Sequence, residues 1–391
     1  MAALILTVTA AVTTACGQAI VGHPGPGMSP AAVDKLDVGL YPTEPADFDM
    51  KIGTNVDVYS LEARRMLGYL ISPYSVDPDL RYLWDTALLS GSSPPGPGTY
   101  PADLEPISEK NYFIAGAATI RANNSARNEK RTAISILNFP DADYARTAAA
   151  EYNAAIDHAV PGRQKIDIAG YSDAHGALSP SRNEGLLFAA RGPFVVHASI
   201  LAPPDQAEQM GDRMKRILDL QFSALDELTP TPPDDMLDLP IDPEGIMRIT
   251  LPDEYPGSAA YNDMAGAYPP SAHLHMETDA GVTGDYTPYG VDLVARNGAT
   301  VYRTGSMQQA FSLQTALTRA EKYDEELPNP PGLTDARCLM REFSGIQDSF
   351  SCVIVYDRYV AVIDAFGIGN APSPELYQAT AAQYAMLANS R

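Results

Sequence analysis

The chain has 391 residues and a formal net charge of −22, which is long for a single ordinary core and points to two domains. That charge excludes binding to nucleic-acid phosphates and electrostatic docking on anionic lipid, both of which need clustered Lys and Arg. With 45% hydrophobic and 19% charged residues, the composition is that of a globular chain.

In chain order, residues 2–15 are apolar and small, without a charge. They are too few to span a bilayer as a helix, which needs about 20 residues. They match the apolar core of a signal peptide, so 1–15 is expected to be cleaved. The sequence Thr13-Thr14-Ala15-Cys16-Gly17 follows. Small residues ahead of a Cys that precedes Gly resemble the lipobox of bacterial lipoproteins, where the Cys takes a diacylglyceryl group and becomes the N-terminus. Thr13 stands where that motif usually has Leu, and no basic residue precedes the apolar stretch. Residues 16–30, with Gly22-His23-Pro24-Gly25-Pro26-Gly27, form a flexible spacer.

The first domain is expected over 31–228 and the second over 246–391. Between them, 229–245 holds five Pro and five Asp or Glu among few hydrophobes, as a linker does. In the first half, 132–139 is a strand, and Asp141 caps a helix with Tyr144, Ala148, Tyr152 and Ile156 on one side. A hairpin, 186–190 with 194–201, turns at Arg191-Gly192-Pro193. After Pro203-Pro204, Met210, Met214, Ile217, Leu225 and Leu228 mark a long helix. The second half repeats this order. Strands lie within 291–304, Ser306 caps a helix with Met307, Ala310, Phe311 and Leu317, and 350–356 pairs with 359–366. Ser373-Pro374-Glu375 opens the last helix. Strand, helix, hairpin, helix thus occurs twice. The expected fold is α+β: two domains from an internal duplication, each an antiparallel sheet covered by helices on one face.

Of the three Cys, Cys16 is assigned to the lipid, which leaves Cys338 and Cys352 for each other. They flank a polar turn containing Gly345, so hairpin pairing would set the two sulfurs face to face. Closing such a loop contributes about 3 kcal/mol, and export makes the bond plausible.

Several stretches resemble an uncharacterised family of two-domain lipoproteins from mycolic-acid-bearing actinobacteria. They are Leu36-Asp37-Val38-Gly39-Leu40-Tyr41-Pro42, Phe139-Pro140-Asp141-Ala142, Ala299-Thr300-Val301-Tyr302-Arg303, Ala336-Arg337-Cys338-Leu339, Arg358-Tyr359-Val360-Ala361 and Ala382-Gln383-Tyr384-Ala385-Met386-Leu387. The resemblance spans nearly the whole mature chain. It implies a place and a fold, and lends no catalytic residues.

The candidate metal set is His273-Leu274-His275-Met276-Glu277. On a strand, alternate residues share a face, so His273, His275 and Glu277 would project together as a zinc-type set with an open position for hydrolysis. The competing reading is a polar loop surface, because Pro269-Pro270 precedes it and Asp279-Ala280-Gly281 follows. Gly367-Ile368-Gly369-Asn370 resembles a dinucleotide turn, but Pro372 stands where the third Gly belongs. Asp173, His175, Ser172 and Ser179 are triad residue types without a nucleophile elbow. No motif calls for a cofactor. The expected function is a non-catalytic ligand-binding or scaffolding module, held by its lipid on the outer face of the cytoplasmic membrane. Its partners would be a small molecule, a lipid or an envelope protein. The alternative is an envelope hydrolase or metalloenzyme using His273, His275 and Glu277.

Overall fold

The computed structural model describes residues 30–390, apart from 51, 92, 97–99, 180–182, 254–263, 284, 343–347 and 368–371. The first half contains α1 (Asn55–Leu67), α2 (Pro73–Val76), β1 (Tyr82–Ser90), α3 (Glu105–Lys110), β2 (Ala115–Ala122), β3 (Arg131–Asn138) and α4 (Ala142–Ala159). It continues with β4 (Gln164–Ile166), β5 (His175–Ser179), β6 (Glu184–Arg191), β7 (Phe194–Leu201) and α5 (Met210–Asp226). The second half contains β8 (Gly266–Tyr268), α6 (Pro270–His273), α7 (Ala280–Thr283), β9 (Leu293–Arg296), β10 (Thr300–Arg303) and α8 (Met307–Leu317). It ends with β11 (Glu325–Leu327), β12 (Arg337–Glu342), β13 (Asp348–Tyr356), β14 (Tyr359–Gly367) and α9 (Pro374–Asn389).

Two seven-stranded antiparallel sheets result, in the orders β1-β2-β3-β7-β6-β5-β4 and β8-β9-β10-β14-β13-β12-β11. Adding seven to each strand number converts the first order into the second, so the sheets share one topology. Two of the expected caps form, while Ser373 stands at the start of α9 without a side-chain capping bond. Asp141 accepts from the N–H groups of Asp143 and Tyr144 (2.8 and 3.1 Å), and Ser306 accepts from that of Gln309 (3.2 Å).

Helices cover both faces of each sheet, one layer more than expected. On β6, Leu187 and Ala189 pack with Met214 and Ile217 of α5, whereas Leu186 and Phe188 pack with Tyr152 and Ile156 of α4. On β13, Ile354 joins Leu376 and Ala382 of α9, and Val353 and Val355 join Ala310 and Leu313 of α8. The cause is visible in composition. All eight residues of β2 are buried, and apart from Arg121 they are small or apolar without alternation, as in a strand covered on both sides.

Each half also lends a segment to the core of the other. Residues 31–48, expected to open the first domain, lie on the second. Ala31, Val33, Leu36, Val38, Tyr41 and Phe48 pack against its core. The Ala31 N–H donates to the Tyr384 hydroxyl (3.0 Å), and Asn389 donates to the Thr43 carbonyl (3.1 Å). Conversely Tyr268, Ala272 and Met276 sit in the first core beside Met66 and Leu70. Apolar spacing marks a segment for burial but does not name the sheet it covers.

Cys338 and Cys352 form a disulfide across the β12–β13 ladder, where they are register partners. Among the described residues, no helix is long and apolar enough to cross a membrane.

Candidate functional site

The His273–Glu277 segment is wound rather than extended. Proline cannot donate to a ladder and its fixed φ suits the first turn of a helix, so Pro269-Pro270 starts one. The N–H of His273 reaches the Pro269 carbonyl, that of Leu274 reaches Pro270, and that of Met276 reaches His273. In a helical winding, residues four apart share a face and residues two apart point away. His273 and Glu277 therefore meet, Nε2 to Oε1 at 2.8 Å, while His275 turns aside and places its Nε2 2.8 Å from the Leu70 carbonyl. The structure thus corrects the expected metal set: two of its three members converge. Among the described residues, no group of three or more His, Cys, Asp and Glu is placed to hold a metal ion.

Around Glu277 the second domain builds a tight acceptor site. Its Oε1 takes the hydroxyl protons of Tyr286 (2.6 Å) and Tyr302 (2.8 Å) as well as the His273 bond. Burial opposes the carboxylate charge. The His273 contact and the two hydroxyls outweigh it, and the carboxyl is held down at about 2. Burial lowers the pKa of His273, so the neutral ring donates through Nε2 to the ionised carboxylate. Burial beside that carboxylate pushes both tyrosines well above their usual value. Every strong donor of the cluster is committed to one oxygen, and His273 and His275 are each 1% exposed. Such an arrangement holds a backbone in place and commits one carboxylate oxygen to donors of the protein itself.

What it holds is a joint between the halves. Arg121 of β2 is fully buried, and its guanidinium donates to the carbonyls of Arg81 (2.8 Å), Leu274 (2.6 Å) and Glu277 (2.9 Å). Beside it, Arg81 pairs with Asp279, and the Leu83 N–H donates to the Thr278 carbonyl (2.9 Å). The Thr86 hydroxyl donates to the His275 carbonyl. Residues 275–279 thus lie along the outer edge of β1, an edge that would otherwise be open to pairing with other chains.

A second buried histidine lies in the first sheet. Ser135 and His197 are register partners on β3 and β7, with Oγ 3.5 Å from Nδ1. Burial pushes His197 down to about 3, so it stays neutral. The backbone of Gly96 closes over the pair: a Cβ there would lie 2.5 Å from Ser135 Oγ. Of the expected triad types, Ser172 bonds Asp173 (3.1 Å), while His175 and Ser179 lie on β5. Cys16 and residues 368–371 of the Gly-rich turn lie outside the described residues.

Arg121, Tyr286 and Tyr302 were not singled out as site residues from sequence. The one available signal was Arg121 itself, a lone charge in the otherwise uncharged run 115–122.

No curated protein matches the chain. Among solved structures, the extracellular domain of PknH from Mycobacterium tuberculosis is similar over 40% of this chain and 96% of its own, at 13% identity and a TM-score of 0.29. Two family descriptions match in tandem: "Domain of unknown function (DUF7373) N-terminal" over residues 50–241 and its C-terminal counterpart over 246–390. The chain, with its two sheets of one topology, belongs to the DUF7373 family.

Proposed function

We propose that the chain is an exported lipoprotein of the actinobacterial cell envelope, anchored through an acylated Cys16 to the outer face of the cytoplasmic membrane. Its folded part acts there as a non-catalytic binding or scaffolding module. The observation that carries the second half is the fate of Glu277. The candidate metal motif spends Oε1 of its carboxylate on three donors from its own domain and its backbone on Arg121 of the other. Groups committed to a joint are unavailable to a substrate. Support for export comes from the leader, from the small residues before Cys16, and from a disulfide of the kind that oxidising compartments preserve.

The test is native mass spectrometry of the mature protein extracted from its host. The expected mass carries a diacylated Cys16 and two fewer hydrogens for Cys338–Cys352. An unmodified Cys16 would remove the anchor, and stoichiometric bound zinc would remove the non-catalytic reading.

A further inference from the structure

At the far edge of the first sheet, away from the joint, α4 and the β4–β5 pair enclose a cavity of about 250 Å³. Its lining includes Asn153 and Asp157 from α4, Arg163 and Lys165 from the edge, and His175 from β5. Gly176 and Ala177 of β5 complete the lining.

The informative group is Arg163. Its side chain is 2% exposed. Nη1 donates to Asp157 (2.6 Å) and to Asn153 (3.3 Å), which fixes the guanidinium plane. Nε and Nη2 are buried and have no hydrogen-bond partner. Those two nitrogens form one edge of the guanidinium, and their parallel N–H bonds match the two oxygens of a carboxylate or phosphate. Buried donors are nearly always paired, so a bidentate edge left without a partner on a fixed arginine calls for an acceptor from outside the chain. The charge balance agrees. Asp157 already offsets Arg163, and an added anion would be balanced by Lys165. Lys165 is 76% exposed and held only by the exposed Asp167 (3.0 Å), a pairing it can give up at little cost.

We propose that this cavity is an oxyanion site, which takes the carboxylate or phosphate group of a small ligand on the Nε–Nη2 edge of Arg163 with Lys165 and His175 beside it. The assignment goes beyond the anchoring reading and does not depend on it, because the cavity belongs to the folded first domain alone.

The test uses lipid-free mature chain labelled with ¹⁵N and titrated separately with inorganic phosphate and acetate at constant ionic strength. A saturable shift of the Arg163 Nε–H resonance and of the Gly162 and Gly176 amides is expected with at least one anion. Saturation by phosphate alone assigns a phosphoryl ligand, and saturation by acetate alone a carboxylate. Arg163→Lys keeps the charge and loses the fork, so binding should weaken roughly tenfold or more. Lys165→Ala, on an exposed side chain, should weaken it severalfold without disturbing the fold. The proposal is overturned if neither anion gives a saturable shift up to tens of millimolar, the outcome expected of a cavity that holds only water. It is also overturned if folded Arg163→Lys binds as the parent does.

Discussion

Arg121 donates through Nη2 to the backbone carbonyl of Glu277, 2.9 Å away and 156 residues further along the chain. The same nitrogen holds the Leu274 carbonyl, and Nη1 holds that of Arg81. One fully buried guanidinium therefore closes the seam between the edge of the first sheet and the segment that follows β8. Burial lowers the pKa of Arg121, while the nearby carboxylates of Glu277 and Asp279 favour its charge. Such a group is costly to leave half-paired, so its value lies in fixing one arrangement of the two halves.

Replacement of Arg121 by Met should cost about 3 kcal/mol or more, because three buried carbonyls lose their donor together. The single tryptophan, Trp84 on β1, reports on the first domain beside this seam. In urea, the fluorescence and far-UV transitions of the parent should coincide. In Arg121→Met the fluorescence transition should move to lower urea and separate from the other. Coincident transitions at the parental midpoint would refute the role given to Arg121.

Acid should unfold the chain in two stages. His197 is held at about 3 and His275 at about 4, against an ordinary value of 6.5, by burial in each case. Glu277 is held at about 2 against 4.5, its three donors overcoming burial. All three folded values lie below the unfolded ones, so the unfolded chain binds more protons and stability rises with pH. The histidine contribution is complete above pH 6.5 and is lost as pH falls from 6.5 towards 4 and 3. The Glu277 contribution is lost only as pH falls below 4.5. Urea titrations across this range should show His197→Gln flattening the dependence above pH 4.5 and Glu277→Gln flattening it only below. An unchanged slope between pH 6.5 and 5 in His197→Gln would be fatal to this assignment.

The local elements were legible where chemistry is local. Asp141 and Ser306 mark helix starts because caps act within one turn, and Pro374 marks another because its fixed φ suits the first helical position. The edge strands β4 and β11, three residues each, carry too few residues for a period to register. At His273–Glu277 the expected strand period does not hold. A strand would unite residues two apart, whereas a turn started by two prolines unites residues four apart. The rest of the joint could not be found from spacing, since Tyr286, Tyr302 and Arg121 stand 9, 25 and 156 residues from Glu277. Arg163 is similar: nothing near it in sequence reveals that two of its nitrogens lack partners.

The arm over residues 30–48 yields a last prediction, which bears on how a tether would act. It runs from the spacer after Cys16 straight onto the second domain, where Leu36, Val38 and Phe48 are partly buried against the core of α9. Fully burying one such side chain is worth about 1.5–3 kcal/mol, so several half-buried ones together contribute a few kcal/mol. A chain beginning at residue 49 should therefore show faster hydrogen exchange in α9, with little change in β2 of the first domain. Exchange that stays slow in α9, or that rises first in β2, would mean that the arm does not support the second core. If the expected pattern is found, a lipid on Cys16 would draw the second domain towards the membrane.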